Sequence, residues 1–196
     1  VTDAMGNLET YGYDLASQLT ATTAPNGNVV AYTYDGVGRL ASVEEPDGLI
    51  TQYTYNDVGD VVEIKHADGR TASFAYDMEG RLTSETDTGD NTWTYRYDDA
   101  GNLTARIDAN GVRTTYTYDV LERRTQTSYP DGTTITFEFD ANDNLVRLTD
   151  QNGTTTAAYD NMDRVVAVTT SERELNVTTR YGYNGDGDLV RVEYPQ

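Results

Sequence analysis

The chain has 196 residues, with 14 basic against 33 acidic side chains, a net charge of −19, a single histidine and no cysteine. A field of that sign repels nucleic-acid phosphates and anionic lipid, and the missing thiols exclude disulfides, thiolate metal sites and thiol catalysis. There is no apolar run long enough to span a membrane and no basic-plus-apolar leader, so neither membrane insertion nor nucleic-acid binding is expected.

Residues 1–10 read as a partial repeat, with Gly6 in a glycine register met again downstream and Leu8 ahead of the first aromatic pair. From there aromatic residues come in doublets: Tyr11 and Tyr13, Tyr32 and Tyr34, Tyr53 and Tyr55, Phe74 and Tyr76, Tyr95 and Tyr97, Tyr116 and Tyr118, Phe137 and Phe139. Tyr159 follows without its upstream partner, whose place Ala157 takes, and Tyr181 with Tyr183 closes the series. The second aromatic returns every 21 residues as far as Phe139, then after 20 and 24, giving nine copies. A fixed repeat of this length is the mark of a repeat architecture. The doublets have a period of two, which puts both rings on one face of a strand, and Thr and Tyr pack well on a pleated surface.

Each doublet runs into an Asp-x-x-Gly step, as at Asp35 to Gly38, Asp77 to Gly80 and Asp98 to Gly101. Asp accepts backbone N–H bonds at the start of a type I turn, and Gly takes positive φ at its end. Glu122, Asp143 and Asp163 replace that glycine in later copies, which predicts less stable turns there. A second, shorter strand opens at Leu19, Leu40, Val61, Leu82, Leu103, Leu145, Val165 and Leu189, with Arg124 breaking the set. Its alternation is weak: Val62 and Ile64 share a face that excludes Val61, so no inward face follows from the pattern. A second turn carries Gly27, Gly48, Gly69, Gly111, Gly132 and Gly153, with Gly89 displaced by one. Such Asn-Gly and Asp-Gly steps join antiparallel strands. Residues 166–180 lack that step and are expected to form a longer irregular surface loop.

Strand, turn, strand, turn gives an all-β chain: a spiralling antiparallel β-meander, solenoid-like, of about nine 21-residue hairpin repeats, with tyrosine ladders on its inner face. Residues 1–196 are expected to make one domain, a segment of a longer protein. Open edge strands at both ends invite pairing, so self-association or packing on neighbouring repeats of the same protein is expected.

The stretches Tyr32-Thr33-Tyr34-Asp35-Gly36-Val37-Gly38-Arg39-Leu40 and Tyr95-Arg96-Tyr97-Asp98-Asp99-Ala100-Gly101-Asn102-Leu103 resemble the YD repeats of the RHS family, and the resemblance runs over about residues 6–194. It implies a spiralling β-sheet shell, as in the hollow cages of bacterial toxin complexes, polymorphic toxins and wall-associated proteins, with related shells in teneurin adhesion proteins. It implies a cage that stores a toxic domain or is presented at the cell surface, and more loosely a link to carbohydrate. The family's self-cleaving Asp-Pro-x-Gly segment is absent from this sequence.

Chemistry is sparse. His66 sits beside a turn and reads as a surface residue. No serine stands in a Gly-x-Ser-x-Gly elbow. Asp98-Asp99 and Glu44-Glu45 are strand or turn neighbours that point apart, unlike a glycosidase pair. Asn184-Gly185-Asp186-Gly187-Asp188 starts like a calcium loop, but Leu189 stands where glycine is required. The sequence therefore predicts no catalytic residue, no cofactor and no dedicated metal site, with weak Ca²⁺ association of the acidic turns as a further expectation. The expected role is a non-enzymatic shell, spacer or surface fibre of a secreted or cell-surface protein. Alternatives are a glycan-binding or adhesion module, and a segment of a toxin-encapsulating cage. Lys65 is the lone lysine, and so acidic a surface suits a salty exterior.

Overall fold

The computed structural model describes residues 8–173 and 175–195; the glycine-register residue Gly6 and Glu174 of the 166–180 stretch lie outside them. The chain divides into two compact units, Val1–Thr94 and Tyr95–Gln196. The first holds β1 (Thr10–Tyr13), β2 (Leu19–Thr23), β3 (Val29–Tyr34), β4 (Leu40–Glu44), β5 (Ile50–Tyr55), β6 (Val61–Lys65), β7 (Thr71–Tyr76), β8 (Leu82–Thr86) and the start of β9 (Thr92–Tyr97). The second holds the rest of β9 with β10 (Leu103–Ile107), β11 (Arg113–Tyr118), β12 (Arg124–Ser128), β13 (Thr134–Phe139), β14 (Leu145–Thr149), β15 (Thr154–Tyr159), β16 (Val165–Glu172), β17 (Leu175–Tyr183) and β18 (Leu189–Glu193). Each hairpin touches only its neighbours, so no composition break marks the division at Thr94.

No helix occurs among the described residues. Strands pair antiparallel with their chain neighbours, as β2 does with β3 and β16 with β17. A meander of sequential hairpins results.

The hairpins share one irregularity. Tyr34 faces Leu40 while Thr33 faces Ser42, so Ala41 is an extra residue on the second strand. The same bulge lies between Thr54 and Tyr55, Ala75 and Tyr76, Thr117 and Tyr118, and Glu138 and Phe139. It accounts for the weak alternation of the second strands. The residues opposite the two aromatics, Leu40 and Val43, or Val61 and Ile64, are spaced by three instead of two. A bulge resets which face a strand presents.

Both turns of a repeat have one geometry. Asp35 N donates to Arg39 O and Gly38 N to Asp35 O; His66 N donates to Arg70 O and Gly69 N to His66 O. The residue before the closing position is left-handed, with φ of 90° at Gly38 and 83° at Gly69. Among the described residues five turns hold other residues there: Ser17 (65°), Asp90 (62°), Glu122 (62°), Asp143 (69°) and Asp163 (57°). Asp90 carries the register, and this is why Gly89 looks displaced in the sequence.

The stretch 166–180 is not an irregular loop. β16 and β17 are the longest strands, of 8 and 9 residues, and pair from Ala167↔Arg180 to Glu172↔Leu175. Val165-Val166-Ala167-Val168-Thr169-Thr170 is rich in β-branched residues, and that propensity prevails where the usual Asn-Gly step is absent. Arg173 turns the tip with φ 53°.

Burial is shallow. Among the described residues Ala105 and Thr127 are the buried ones, at 1% and 4% exposure. Within each unit the strands that touch are consecutive ones. Stability must therefore come from many half-buried contacts within the layer.

Candidate functional site

The aromatic face recurs from hairpin to hairpin. The doublet rings from Tyr32 to Tyr183 are half-buried, while the residues between them, such as Thr33, Thr54 and Thr117, are exposed. Tyr11 and Tyr13 in β1 are exposed, at 41% and 61%. Tyr11 lies in register with Thr22, Tyr32 with Val43, Tyr53 with Ile64, Phe137 with Leu148 and Tyr181 with Val192. Cross-strand partners of this kind share a face and each stabilises by about 0.2–1 kcal/mol.

The second aromatic has a further role that its spacing alone does not reveal. Tyr34 Oη donates to Leu19 O at 2.9 Å, Tyr55 to Leu40 O at 2.8 Å, Tyr76 to Val61 O at 3.1 Å and Tyr118 to Leu103 O at 2.9 Å. Tyr159 donates to Leu145 O at 3.0 Å and Tyr183 to Val165 O at 2.9 Å. Each acceptor is the first residue of the preceding strand, so the phenol ties one hairpin to the next. Phe139 has no hydroxyl, and the residue 15 positions before it is Arg124, the one break in the Leu/Val register. Arg124 lies instead over the rings of Tyr116 and Phe137, 5.8 and 5.0 Å from their centroids. Its stem covers apolar surface there while the guanidinium meets the ring faces.

At the first turn the aspartate closes its own loop. Asp35 Oδ1 accepts from Val37 N at 3.0 Å and Arg39 N at 2.9 Å, and Oδ2 accepts from Arg39 Nε at 2.7 Å. Asp77–Arg81, Asp119–Arg123 and Asp160–Arg164 repeat the pair at 2.7, 2.7 and 2.6 Å. Amide and side-chain donation from Arg39 holds the Asp35 carboxyl below its ordinary range, and Arg123 does the same for Asp119. The arginine also reaches forward. Arg39 donates to Asn56 O at 3.0 Å and lies 4.5 Å from the Tyr55 centroid. Arg123 donates to Asp140 O at 3.0 Å and lies 4.9 Å from that of Phe139. Arg164 lies 4.6 Å from that of Tyr183. A guanidinium can hold a carboxylate, a carbonyl and a ring face at once, a set that a lysine cannot match.

The remaining candidates are not gathered into a site. His66 is an exposed turn residue, as is Glu45, while Glu44 is the exposed last residue of β4. Asp98 accepts from Ala100 N and Asn102 N, while Asp99 is exposed. The 184–188 loop is an ordinary first turn: Asn184 Oδ1 accepts from Asp186 N and Asp188 N, and Asn184 Nδ2 donates to Asp188 Oδ2. A concavity beside the long hairpin is lined by Gln151, Asn152, Glu172, Arg173 and Leu175. No group of three or more His, Asp or Glu side chains placed to hold a metal ion occurs among the described residues. Among the described residues no helix is long and apolar enough to cross a membrane.

The sequence matches the RHS Repeat family at residues 1–29, 15–50, 34–71, 76–113, 97–134 and 139–175. No curated protein sequence matches the chain. Among solved structures, the fold is similar to a chain of the Photorhabdus luminescens Tc holotoxin pore, with TM-score 0.61 and 16% identity over 96% of this chain and 13% of that one. It is similar to TcdB2-TccC3 without its hypervariable C-terminal region, with TM-score 0.61 and 14% identity over 95% of this chain and 15% of that one. TcdB2-TccC3-Cdc42 gives TM-score 0.62 and 15% identity, over 95% of this chain and 15% of that one. The chain thus spans about one seventh of the length of the solved chains that it matches.

Proposed function

The chain belongs to the RHS repeat family, and on that footing we propose that it is a non-catalytic wall segment of a β-shell of the toxin-encapsulating kind, extracellular or at the cell surface. One observation carries this reading. Nearly the whole chain is built of hairpins, most tied to the one before by a tyrosine hydroxyl and some also by a turn arginine, as at Arg39 and Arg123, with the meander fold of the Tc-toxin proteins over 95% of its length. Such a layer spends its side chains on joining hairpins and leaves none gathered for bond-making chemistry. The half-buried rings would line the wall, and further repeats would continue it. Electron microscopy of the native particle tests the reading. A hollow, sheet-walled particle is expected, and a solid fibre without a lumen would sink it.

A further inference from the structure

Residues in register across the aromatic face form rows over three adjacent strands. Tyr32, Val43 and Thr51 make one such row, and Tyr53, Ile64 and Ala72 the next. Tyr116, Thr127 and Ile135 make another, as do Phe137, Leu148 and Thr155. Each of these rows holds one ring, with threonine or an aliphatic residue in the other two places. The row of Phe74, Glu85 and Trp93 departs from them twice. A carboxylate stands in the middle, and Trp93, the one tryptophan of the chain, adds a second ring at the far end. A concavity of about 210 Å³ opens there, lined by Ala72, Phe74, Glu85, Thr86, Asp87 and Trp93. We propose that this concavity binds the guanidinium of an arginine on a partner polypeptide, held between the Phe74 and Trp93 rings and against the Glu85 carboxylate.

The chain contains a precedent for the arrangement. Arg124 projects from β12 and lies over rings on both flanking strands, Tyr116 of β11 and Phe137 of β13. Phe74 and Trp93 stand on β7 and β9, also two strands apart, which separates their points of attachment by about 9.5 Å. One flat cation between them can lie within about 6 Å of each ring centre. The intervening strand supplies Glu85 where an arginine would be needed, so the cation has to come from another molecule. Among the described residues no cation of the chain lies over either ring.

The charges suit such a ligand. Glu85 is half-buried and engaged within the protein, and an ionised carboxylate has about four lone-pair sites to share. Asp87 adds a second negative charge to the lining. Donation from the Asn91 side chain, the Asn91 amide and the Gly89 amide holds its carboxyl below the ordinary range. A guanidinium fits these groups better than an ammonium, because its plane stacks on rings while its N–H fork meets a carboxylate. Free arginine would bring its own α-carboxylate beside Glu85 and Asp87, so an arginine within a polypeptide is the better match. The inference goes beyond the wall reading and does not rest on it.

Trp93 reports on the site, since its emission can be excited where tyrosine does not absorb. The full chain in low salt is titrated with a blocked peptide of one arginine among glycines. The emission should change saturably, and the same peptide carrying citrulline, the neutral isostere, should leave it unchanged. Glu85→Gln should weaken binding at least about tenfold, the worth of a hydrogen bond to a charged group. Ala72→Ile should fill the concavity and abolish binding. Ile135 holds the equivalent place opposite Thr127, so the fold accommodates isoleucine there. Free arginine should bind more weakly than the peptide. No saturable change in wild type would overturn the site, as would an equal response to citrulline. So would wild-type affinity in a well-folded Glu85→Gln or Ala72→Ile protein. Free arginine binding more tightly than the peptide would overturn the polypeptide as its source. The wall reading is tested separately, by the hollow particle.

Discussion

One oxygen atom separates tyrosine from phenylalanine, and second aromatics such as Tyr34, Tyr55, Tyr76, Tyr118, Tyr159 and Tyr183 use it to reach across to the preceding strand. Phe139→Tyr should therefore gain a bond to Arg124 O and raise stability by about 0.5–1.5 kcal/mol, and Tyr118→Phe should lose a similar amount, both read from urea midpoints. The left-handed turn residues give a second test. Glu122 holds φ 62°, and Glu122→Gly should stabilise by about 1 kcal/mol, since L-residues carry a steric cost there that glycine lacks. The Asp35 carboxyl titrates below its ordinary value of 3.8, through the Arg39 amide, the Arg39 side chain and the Val37 amide. A lowered folded pKa contributes stability that is present above 3.8 and lost as pH falls through the folded value. The loss of stability between mildly acidic and strongly acidic solution should thus be smaller in Asp35→Asn than in wild type. The pairing of the two proteins removes the shared effect of titrating the other carboxylates. At this scale the sequence was partly legible. Asp and Gly at the turns announce their roles locally. The tyrosine hydroxyl bond does not, because it joins residues 14 to 18 apart in different hairpins; its one trace was that Arg124 and Phe139 break the pattern together.

The bulge decides which residues of a hairpin face the aromatic rings, and no residue type marks it. Ala41 and Val62 lie at equivalent places and share only small or β-branched character. The doublets, turns and hairpin order could be read because each rests on a local preference of period two or a fixed turn chemistry. The second-strand face could not, because one inserted residue shifts the period. The long hairpin escaped for a related reason: its turn lacks the Asn-Gly step, so propensity in β16 and β17 was the one clue. Its fit beside the neighbouring turn is tight. A Cβ on Gly153 would lie 2.0 Å from Ser171 O, and the atom met is backbone. Gly153→Ala should accordingly part β15 from β16 near Thr154↔Ser171, lowering stability by about 2–3 kcal/mol as an overpacked site does. Amide hydrogen exchange would show the loss of protection confined to Thr154, Thr155 and Ser171, with β11–β13 unaffected.

Nearly every side chain in this molecule is at least partly wet, and within each unit the strands in contact are consecutive ones. A globular domain concentrates its stability in a core whose loss unfolds everything at once. Here stability is closer to a sum over hairpins and their joints, as expected of quasi-one-dimensional proteins. The inner hairpins of a unit have a neighbour on both sides, and the strand that closes a series has one. Opening from an end costs one joint, whereas opening in the middle costs two. Hydrogen exchange should then be graded, with β4 to β6 slower than β1 and β13 to β15 slower than β18. Calorimetry should give a broad transition whose van't Hoff enthalpy falls short of the calorimetric one, because a two-state transition would make them equal. Uniform protection across β1–β8 with a single sharp transition would show that the joints are stronger than the hairpins that they connect. The phenol and arginine ties would then act as one cooperative ladder.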